Sequence, residues 1–450
     1  MARGIRQDGR GAGRGRGGAR AWRAVAVTLA GIWLAAAPAA AQMRILSADE
    51  AVRIALERNP GARQAAEEVR AAAGGATAAR SAVLPQLSLG ANYNNTIRES
   101  IGYSSSGVRI GTEFWSGRAT LDQTLISFPT WASIRAADSG KDAALAGNQA
   151  ARADIALDAY RQYYALVKAY KYKLVTSLSV KLRQDQLVRT QALFDLGSVA
   201  RGDVLKQQVT VSQAQQEDIA AGKNIIVQRA LLAAVLGLDV GTTVDIDTTL
   251  TATAIAVDSA AVFRDALRQR PELAEYRARL AAARANLGGA QGGRYPSLGG
   301  NVSYSFQTAG FPEDWQTIDE NARWSASLSL NVPVFDGLFS KGRIREAAAR
   351  QLQAEYALQQ QELAVVVEVE QALQAASQAQ EQISVARAGF DAAQEDLKLT
   401  QEKYNVGSAT VIELVDSQVS ATSAAVDLIN ALADAHIAEM QLKRARGDKF

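Results

Sequence analysis

The sequence predicts a mainly α-helical chain with a smaller β part that lies in a membrane. Three observations support this fold class. Proline is absent between Pro129 and Pro271 and after Pro333, and both stretches carry very long helical patterns. Four short segments alternate between apolar and polar residues with a period of two, which is typical of two-faced strands. The same order of features occurs twice along the chain, which points to an internal duplication.

Residues 1–41 have the three parts of a secretory signal: an Arg-rich start up to Arg23, an apolar run at 24–37, and small residues 39–41 before Gln42. The segment contains seven Arg and one acidic residue, which leaves 42 basic and 45 acidic residues in the rest of the chain. The basic character therefore belongs to the leader, and we expect no nucleic-acid partner. The alternative is a Gly- and Arg-rich arm that binds RNA, but the order of the three parts favours export.

Once the leader is removed, the sequence predicts no helix that spans a membrane. The best candidate, 225–238, is interrupted by Gln228 and Arg229 and is shorter than the ~18 apolar residues that a span needs. The exported chain is then either soluble outside the inner membrane, or it crosses a membrane as β-strands.

The duplication divides the chain into halves at 42–258 and 259–450. Matched residues lie 211 positions apart: Pro60 and Pro271, Pro85 and Pro296, Tyr93 and Tyr304. Further on, FDLGSVARGDVLKQQV (194–209) aligns with YNVGSATVIELVDSQV (404–419) at an offset of 210. Each half is expected to contain a helix, two strands and a long helix pair.

Strands are predicted near 86–97, 117–126, 297–307 and 323–332. In three of them Ser, Asn and Gly occupy one side and apolar residues the other, whereas 117–126 alternates less cleanly. Aromatic residues cluster at strand ends, as in the girdles of outer-membrane barrels: Tyr93, Phe114, Trp115, Tyr304, Phe306 and Trp324. Four strands cannot close a barrel, so closure requires two chains with eight strands or three chains with twelve.

Helices near 131–195 and 338–404 would each extend for ~100 Å, which is too long for a compact core and predicts a coiled coil or a tube. The second helix carries a heptad repeat with large residues at one position and small residues three later. The residues that fall every seven positions are Val369, Ala376, Ile383, Phe390, Leu397 and Tyr404, and all but Ala376 are large. Such a strict seven-residue period predicts a left-handed supercoil.

Across almost its whole mature length the chain resembles the TolC-like outer-membrane efflux proteins. The resemblance rests on EAVRIALERNP, LPQLSLGANY, NVPVFDG and the paired FDLGSVARGD and YNVGSATVIELVD segments. It implies a homotrimer in the outer membrane, with a twelve-stranded β-barrel continued by a long coiled-coil α-barrel across the periplasm. It also implies two partners, a periplasmic adaptor protein and an inner-membrane transporter, which energise an otherwise passive duct.

The candidate site is the pair of repeated turns near 194–203 and 404–413, where a Gly allows one helix to reverse into the next. The turn residues are Gly197, Ser198, Gly407 and Ser408, and Asp203, Glu413 and Asp416 follow them. These carboxylates could simply favour the positive end of a helix. The resemblance instead implies that the turns form the periplasmic tip that contacts the adaptor, and that Glu413 and Asp416 ring the pore constriction. Ala409 replaces a basic residue that locks the closed tip in some family members.

No enzyme activity, cofactor or metal site is expected. Cys is absent, His436 is the single His, and the sequence contains no phosphate-binding G-x-x-x-x-G-K-[ST] loop. Two alternatives to an efflux duct remain at this point: the exit duct of type I protein secretion, and a soluble periplasmic coiled-coil spacer or adaptor protein. The second predicts a water-soluble product without two-faced strands.

Overall fold

The computed structural model describes residues 46–95, 113–242, 244–251, 258–308, 311–312 and 314–449. The predicted leader, its cleavage position and the last two residues of the strand predicted at 86–97 lie outside these residues. The elements, in chain order, are α1 (Ala48–Arg58), α2 (Pro60–Ser81), β1 (Gln86–Asn95), β2 (Glu113–Ile126), α3 (Phe128–Asp195), α4 (Arg201–Leu236), α5 (Ser259–Gln269), α6 (Pro271–Gly292), β3 (Ser297–Thr308), α7 (Trp315–Glu320), β4 (Ala322–Asn331), α8 (Phe339–Asn405) and α9 (Val411–Arg446). The mainly helical fold class with a small antiparallel sheet is confirmed.

The two longest helices, α3 and α8, contain 68 and 67 residues. α3 begins three residues before its predicted start because Pro129 fits the first turn, where its missing N–H is not needed, and Ser127 caps the helix. Next to the sheet, α2, α3, α6 and α8 lie side by side in a layer. Towards the opposite end α4 and α9, each of 36 residues, take the places of α2 and α6.

The predicted heptad positions of α8 contribute to its contact with α9. Val369, Ala372 and Ala376 are buried in one cluster with residues of α9, and Ala379 is buried in the next cluster. The small Ala side chains allow the two helices to approach closely. Nearer the turn, Ile383, Phe390 and Leu397 are half-buried, and Tyr404 is buried again.

α4 corrects one expectation. Its length and composition are sufficient for a membrane span, although the sequence predicted no such helix. Its buried residues Leu232, Ala233 and Leu236 are fully enclosed, and Leu232 and Leu236 share a core cluster with α1 and α3. The guanidinium of Arg229 lies over the Tyr170 ring of α3 and donates to the Tyr170 hydroxyl. These contacts place α4 within the helix bundle.

The four strands form one antiparallel sheet in the order β1-β2-β3-β4, with β1 and β4 at its two edges. β2 begins at Glu113, four residues before the predicted start, because it pairs with β1 along the whole length of that strand. The register explains the weak alternation of β2. Arg118 and Asp122 both fall on the polar face of the sheet, and within 117–126 Gln123 interrupts the apolar one.

The sheet has two faces of opposite character. On one face, Leu87, Trp324 and Leu330 are 69%, 75% and 67% exposed, so no described part of the chain covers it. The other face carries cross-strand hydrogen bonds between Ser88 and Thr120, Asn301 and Asp122, and Ser303 and Ser325. Soluble chains rarely expose an apolar surface of this extent, which instead indicates a contact with lipid or protein.

Aromatic side chains lie at both ends of this apolar face. At the end far from the helices, Tyr93 packs on Trp115 and Tyr304 on Trp324, with ring centroids 4.7 and 4.9 Å apart. Phe114 is an exception to the predicted girdle, because its register opposite Asn94 places it on the polar face. At the helix end, an exposed aromatic group that the sequence did not single out lies just past the strands: Phe128, Trp131, Tyr295, Phe335 and Phe339.

Candidate functional site

The first predicted turn joins α3 to α4 through a left-handed glycine. Gly197 has φ +75°, and its N–H donates to Phe194 O at 2.8 Å. The N–H of Ser198 donates to Leu193 O at 2.9 Å. This Schellman-type pattern satisfies the last carbonyls of α3, and the positive φ favours glycine at position 197.

The second predicted turn, from α8 to α9, repeats this geometry. Gly407 has φ +76° and donates to Tyr404 O at 3.1 Å. Ser408 donates to Lys403 O twice, from its backbone N–H at 2.9 Å and from its hydroxyl at 3.1 Å. The two turns lie at corresponding ends of the two longest helices, α3 and α8.

The starts of α4 and α9 differ in their caps. Thr410 and Glu413 form a reciprocal capping box, in which the Thr410 hydroxyl accepts from Glu413 N at 3.2 Å and the Glu413 carboxylate accepts from Thr410 N at 3.1 Å. α4 has Ala200 at the equivalent position without a side-chain cap, and Asp203 is half-buried. Glu413 therefore has a local structural role, which the T-x-x-E spacing of the sequence signals.

Glu413 and Asp416 are exposed on one side of α9, whereas Val411, Leu414, Ser417 and Gln418 are buried on the other. Residues three apart share a helix face, so the two carboxylates point away from the packed helices together. Both charges are thus available to a pore, to solvent or to another subunit.

An apolar groove of about 390 Å³ runs between the first turns of α4 and α9. Its walls include Leu205, Val209 and Ile412, which are all more than half exposed, and Lys206 and Asp416 lie among the lining residues. The sequence reasoning missed this groove because each helix alone shows only scattered apolar residues. The two turns together therefore present an apolar surface with charged residues beside it.

The helix layer above the turns has a polar interior. Gln186, Gln207 and Gln418 are buried, and each side-chain amide nitrogen lacks a hydrogen-bond partner among the described residues. Nearby, the Thr190 and Tyr404 hydroxyls lie 3.4 Å apart. Each buried donor without a partner costs free energy, so this polar interior stabilises the helix layer less than an apolar core would.

Two ionic networks hold the long helices together. Arg270, only 1% exposed, contacts Glu272 at 3.1 Å and Glu368 at 2.5 Å. Arg444 contacts the same two carboxylates and Asp154, so the network joins α3, α6, α8 and α9. Burial opposes the charge of Arg444, but Asp154, Glu272 and Glu368 outweigh it and raise its pKa.

The second network joins α3 to α4 and involves Asp218. Lys173 donates to the Asp218 carboxylate at 2.6 Å, and the Ser177 and Thr176 hydroxyls donate at 2.9 and 3.0 Å. The hydrogen bond from Lys173 is the largest cause of the lowered pKa of Asp218. The side chains of this link come from positions far apart in the sequence.

Among the described residues, no group of three or more His, Asp or Glu side chains could hold a metal ion. His436 stacks on Tyr164 with ring centroids 4.8 Å apart, and burial raises the pKa of that tyrosine to about 12. The histidine thus occupies a packed position on α9.

Long paired helices that end in an open sheet with one exposed apolar face indicate a protein that associates with a membrane or with further chains. A family model described as "Outer membrane efflux protein" matches residues 51–238 and 262–448. The chain belongs to this family. It is an outer-membrane exit duct of efflux or secretion systems in Gram-negative bacteria.

Individual relatives are distant in sequence. The chain is 23% identical over 384 residues to nodulation protein T of Rhizobium leguminosarum bv. trifolii, covering 84% of this chain and 80% of the relative. It is 22% identical over 402 residues to outer membrane protein TolC of Escherichia coli, covering 86% and 80%. The solved structure of the outer membrane protein VceC from Vibrio cholerae matches with a TM-score of 0.78 at 20% identity, covering 90% and 96%. This last likeness shows that the fold is shared.

Proposed function

We propose that three copies of this chain form the exit duct of a tripartite efflux system. The observation that carries the proposal is the open sheet, whose edge strands β1 and β4 are each paired on one side only among the described residues. An open edge cannot remain in lipid, because its N–H and C=O groups would lack partners there. Pairing β4 of one protomer with β1 of the next removes every edge and gives a twelve-stranded barrel.

The matched elements of the two halves support the proposed duplication at 42–258 and 259–450. α1 and α5 each have 11 residues, α2 and α6 each have 22, and α4 and α9 each have 36. Two copies of one unit per chain would give a trimer six similar units around its axis. The α-barrel would then consist of alternating copies of α3 and α8 with their shorter partners.

Export by the leader is part of the proposal. We expect the mature protein to begin at or near Gln42, and Ala41→Leu to block processing because a bulky residue does not fit the small-residue cleavage site. N-terminal sequencing of the protein recovered from membranes measures this. Retention of Met1 or of the Arg-rich stretch on the exported protein would contradict the assignment.

The duct itself is passive, and the proposed partners supply the energy: an inner-membrane transporter acting through a periplasmic adaptor. The adaptor is proposed to contact the turns at Gly197, Ser198, Gly407 and Ser408. The exposed groove between α4 and α9 supports this, because an apolar surface at a helix tip favours a protein partner.

Fractionation and conductance test the proposed duct. Detergent should extract the protein from the outer membrane, and native mass measurement should show a species of three chains. The same species should open conducting channels in planar bilayers. A water-soluble monomer would instead support the alternative of a periplasmic spacer or adaptor. A trimer without conductance would contradict the duct.

Glu413 and Asp416 are proposed to ring the narrow entrance of the trimer with six carboxylates, a charged-ring type of selectivity element. The capping box allows a sharp test, since Gln at position 413 preserves the cap and removes the charge. The double variant Glu413→Gln, Asp416→Asn should lower cation preference and weaken block by multivalent cations from the periplasmic side.

Two controls separate charge from capping. Thr410→Ala removes the cap but leaves both charges, so it should lower stability by about 1 kcal/mol with selectivity unchanged. Asp203→Ala, at the repeat-equivalent position, should change selectivity much less. If Thr410→Ala alters selectivity as strongly as the charge-removing pair, the carboxylates act as caps and the constriction lies elsewhere.

A further inference from the structure

The polar face of the sheet encloses a concave space of about 1210 Å³ near the end far from the helices. Most of its described lining groups are uncharged, and among them Arg118 of β2 and Arg323 of β4 are the two basic residues. The proposed function gives this face no role beyond contact with water. Two arginines on one wall of a lumen can also bind anions.

The strand register places both arginines on the same level of the sheet. Arg118 lies directly opposite Ser305 on β3, and Ser305 lies directly opposite Arg323 on β4. Residues opposite each other in antiparallel strands project to the same face, and two strand spacings separate the arginine backbones by about 10 Å. Small neighbours at this level, Gly90 and Ser305, leave space for both long side chains.

Neither guanidinium group has a carboxylate within ion-pair distance among the described residues. Asp122 shares the polar face but lies four residues further along β2, about 13 Å away, and accepts a hydrogen bond from Asn301 at 2.7 Å. Glu320 of α7 also lines the space and accepts from Gln316 at 3.0 Å. Among the residues that the structure describes, the level of Arg118 and Arg323 therefore carries positive charge, with Asp122 towards the helices and Glu320 on the other side.

Closing the barrel brings six such arginines around one lumen. Strands tilted by ~40° shift Arg118 and Arg323 by about 6 Å along the axis, which gives two staggered rings of three. This shift is below the Debye length of ~8 Å at physiological ionic strength, so the rings act on a passing ion together. Guanidinium also matches carboxylate and phosphate with two parallel hydrogen bonds.

We propose that Arg118 and Arg323 form an anion-binding band in the barrel lumen that favours cargo bearing carboxylate or phosphate groups. This inference rests on the proposed trimeric duct and names a class of cargo for it. The band lies at the far end from the acidic tip, so the duct attracts cations where cargo enters and holds anions near the exit.

Pyrophosphate serves as the probe, added to the barrel side of channels in planar bilayers. The double variant Arg118→Gln, Arg323→Gln should shift the reversal potential in a KCl gradient towards cations and weaken pyrophosphate block at least tenfold. The Arg118→Lys, Arg323→Lys pair should keep the reversal potential of the parent, since the charge remains. Its block should be weaker than that of the parent, since Lys lacks the paired donors.

Ser303→Gln is the matched control on the same face, and it should change neither property. Native mass measurement of each variant confirms that three chains are present. Failure of the parent to form conducting trimers would contradict the proposed duct itself. Conducting trimers in which the Gln pair keeps the reversal potential and the pyrophosphate block of the parent would overturn the anion band alone.

Discussion

Arginine placed on either side of one strand measures which face of the sheet contacts lipid. Val302 lies near the middle of β3 on the apolar face, opposite Leu121 and Ala326. Its neighbour Ser303 lies on the polar face and pairs with Ser325 at 2.8 Å. If the apolar face lies in the bilayer, Val302 is near the midplane and Ser303 faces the lumen.

Val302→Arg should then destabilise each protomer by ~2–4 kcal/mol, the cost of an arginine at the lipid face near the bilayer centre. That range corresponds to a factor of about 30 to 900 in the unfolding equilibrium. Because the change occurs three times per trimer, the loss per assembly is correspondingly larger. Ser303→Arg should cost much less, since its guanidinium group reaches water.

Heat- or urea-induced dissociation of the purified trimer, followed by gel mobility, compares the two variants directly. The Val302 variant should dissociate at a clearly lower temperature or urea concentration than the parent. The Ser303 variant should dissociate under nearly the same conditions as the parent. Equal losses at the two positions would refute the assignment of the faces. A larger loss at Ser303 would mean that the sheet is oriented the other way round.

Three further predictions concern the helical part. Gly237→Ala should destabilise the fold more than Gly197→Ala. Both residues have positive φ, which costs ~1–2 kcal/mol for Ala, but only at Gly237 would the new Cβ lie 2.5 Å from a backbone oxygen, that of Arg58. Equal urea midpoints for the two variants would contradict this. Arg270→Met should cost ~1–3 kcal/mol, because the half-buried carboxylates of Glu272 and Glu368 lose a charged hydrogen-bond partner and keep Arg444. Arg277→Met, in an exposed pair, should cost under ~1 kcal/mol in the same denaturation assay, and equal losses at the two positions would contradict this. Asp218 has a lowered pKa in the folded state, so its contribution to stability is fully present above pH ~3.9 and is lost as the pH falls through the folded pKa. Asp218→Asn should therefore make the free energy of unfolding less dependent on pH in the acid range. An unchanged dependence would contradict the ion pair with Lys173.

The periodic parts of the fold could be predicted from the sequence. α8 begins one residue after its predicted start and ends one residue after its predicted end, because a long helix without proline leaves a continuous pattern. The prediction of β2 was the least accurate of the four strands, because charged Arg118 and Asp122 interrupt the pattern in the sequence. The register shows that both residues belong to the polar face. The same register removes Phe114 from the predicted lipid-facing girdle.

The sites that depend on distant residues could not be predicted. The network around Arg270 and Arg444 joins residues separated by up to 290 positions, and no local pattern connects them. The capping box at Thr410 and Glu413 is different, because its T-x-x-E spacing is visible in the sequence. The roles of Glu413 and Asp416 in a pore depend on the assembly, and a single protomer shows only that both carboxylates are exposed.

Closure of the barrel by three chains can be measured with engineered disulfides, since the natural chain contains no Cys. Leu89→Cys on β1 is combined in turn with Cys at one of four apolar-face positions of β4: Trp324, Ala326, Leu328 or Leu330. Within one chain β1 and β4 are three strand spacings apart, about 14 Å, which exceeds the ~7 Å limit for a disulfide. A bond can therefore form only between protomers. A closed trimeric barrel predicts that at least one pair, oxidised in the outer membrane, gives a covalent species of three chains and nothing larger. Monomers at all four pairs, or a ladder of open polymers, would contradict it.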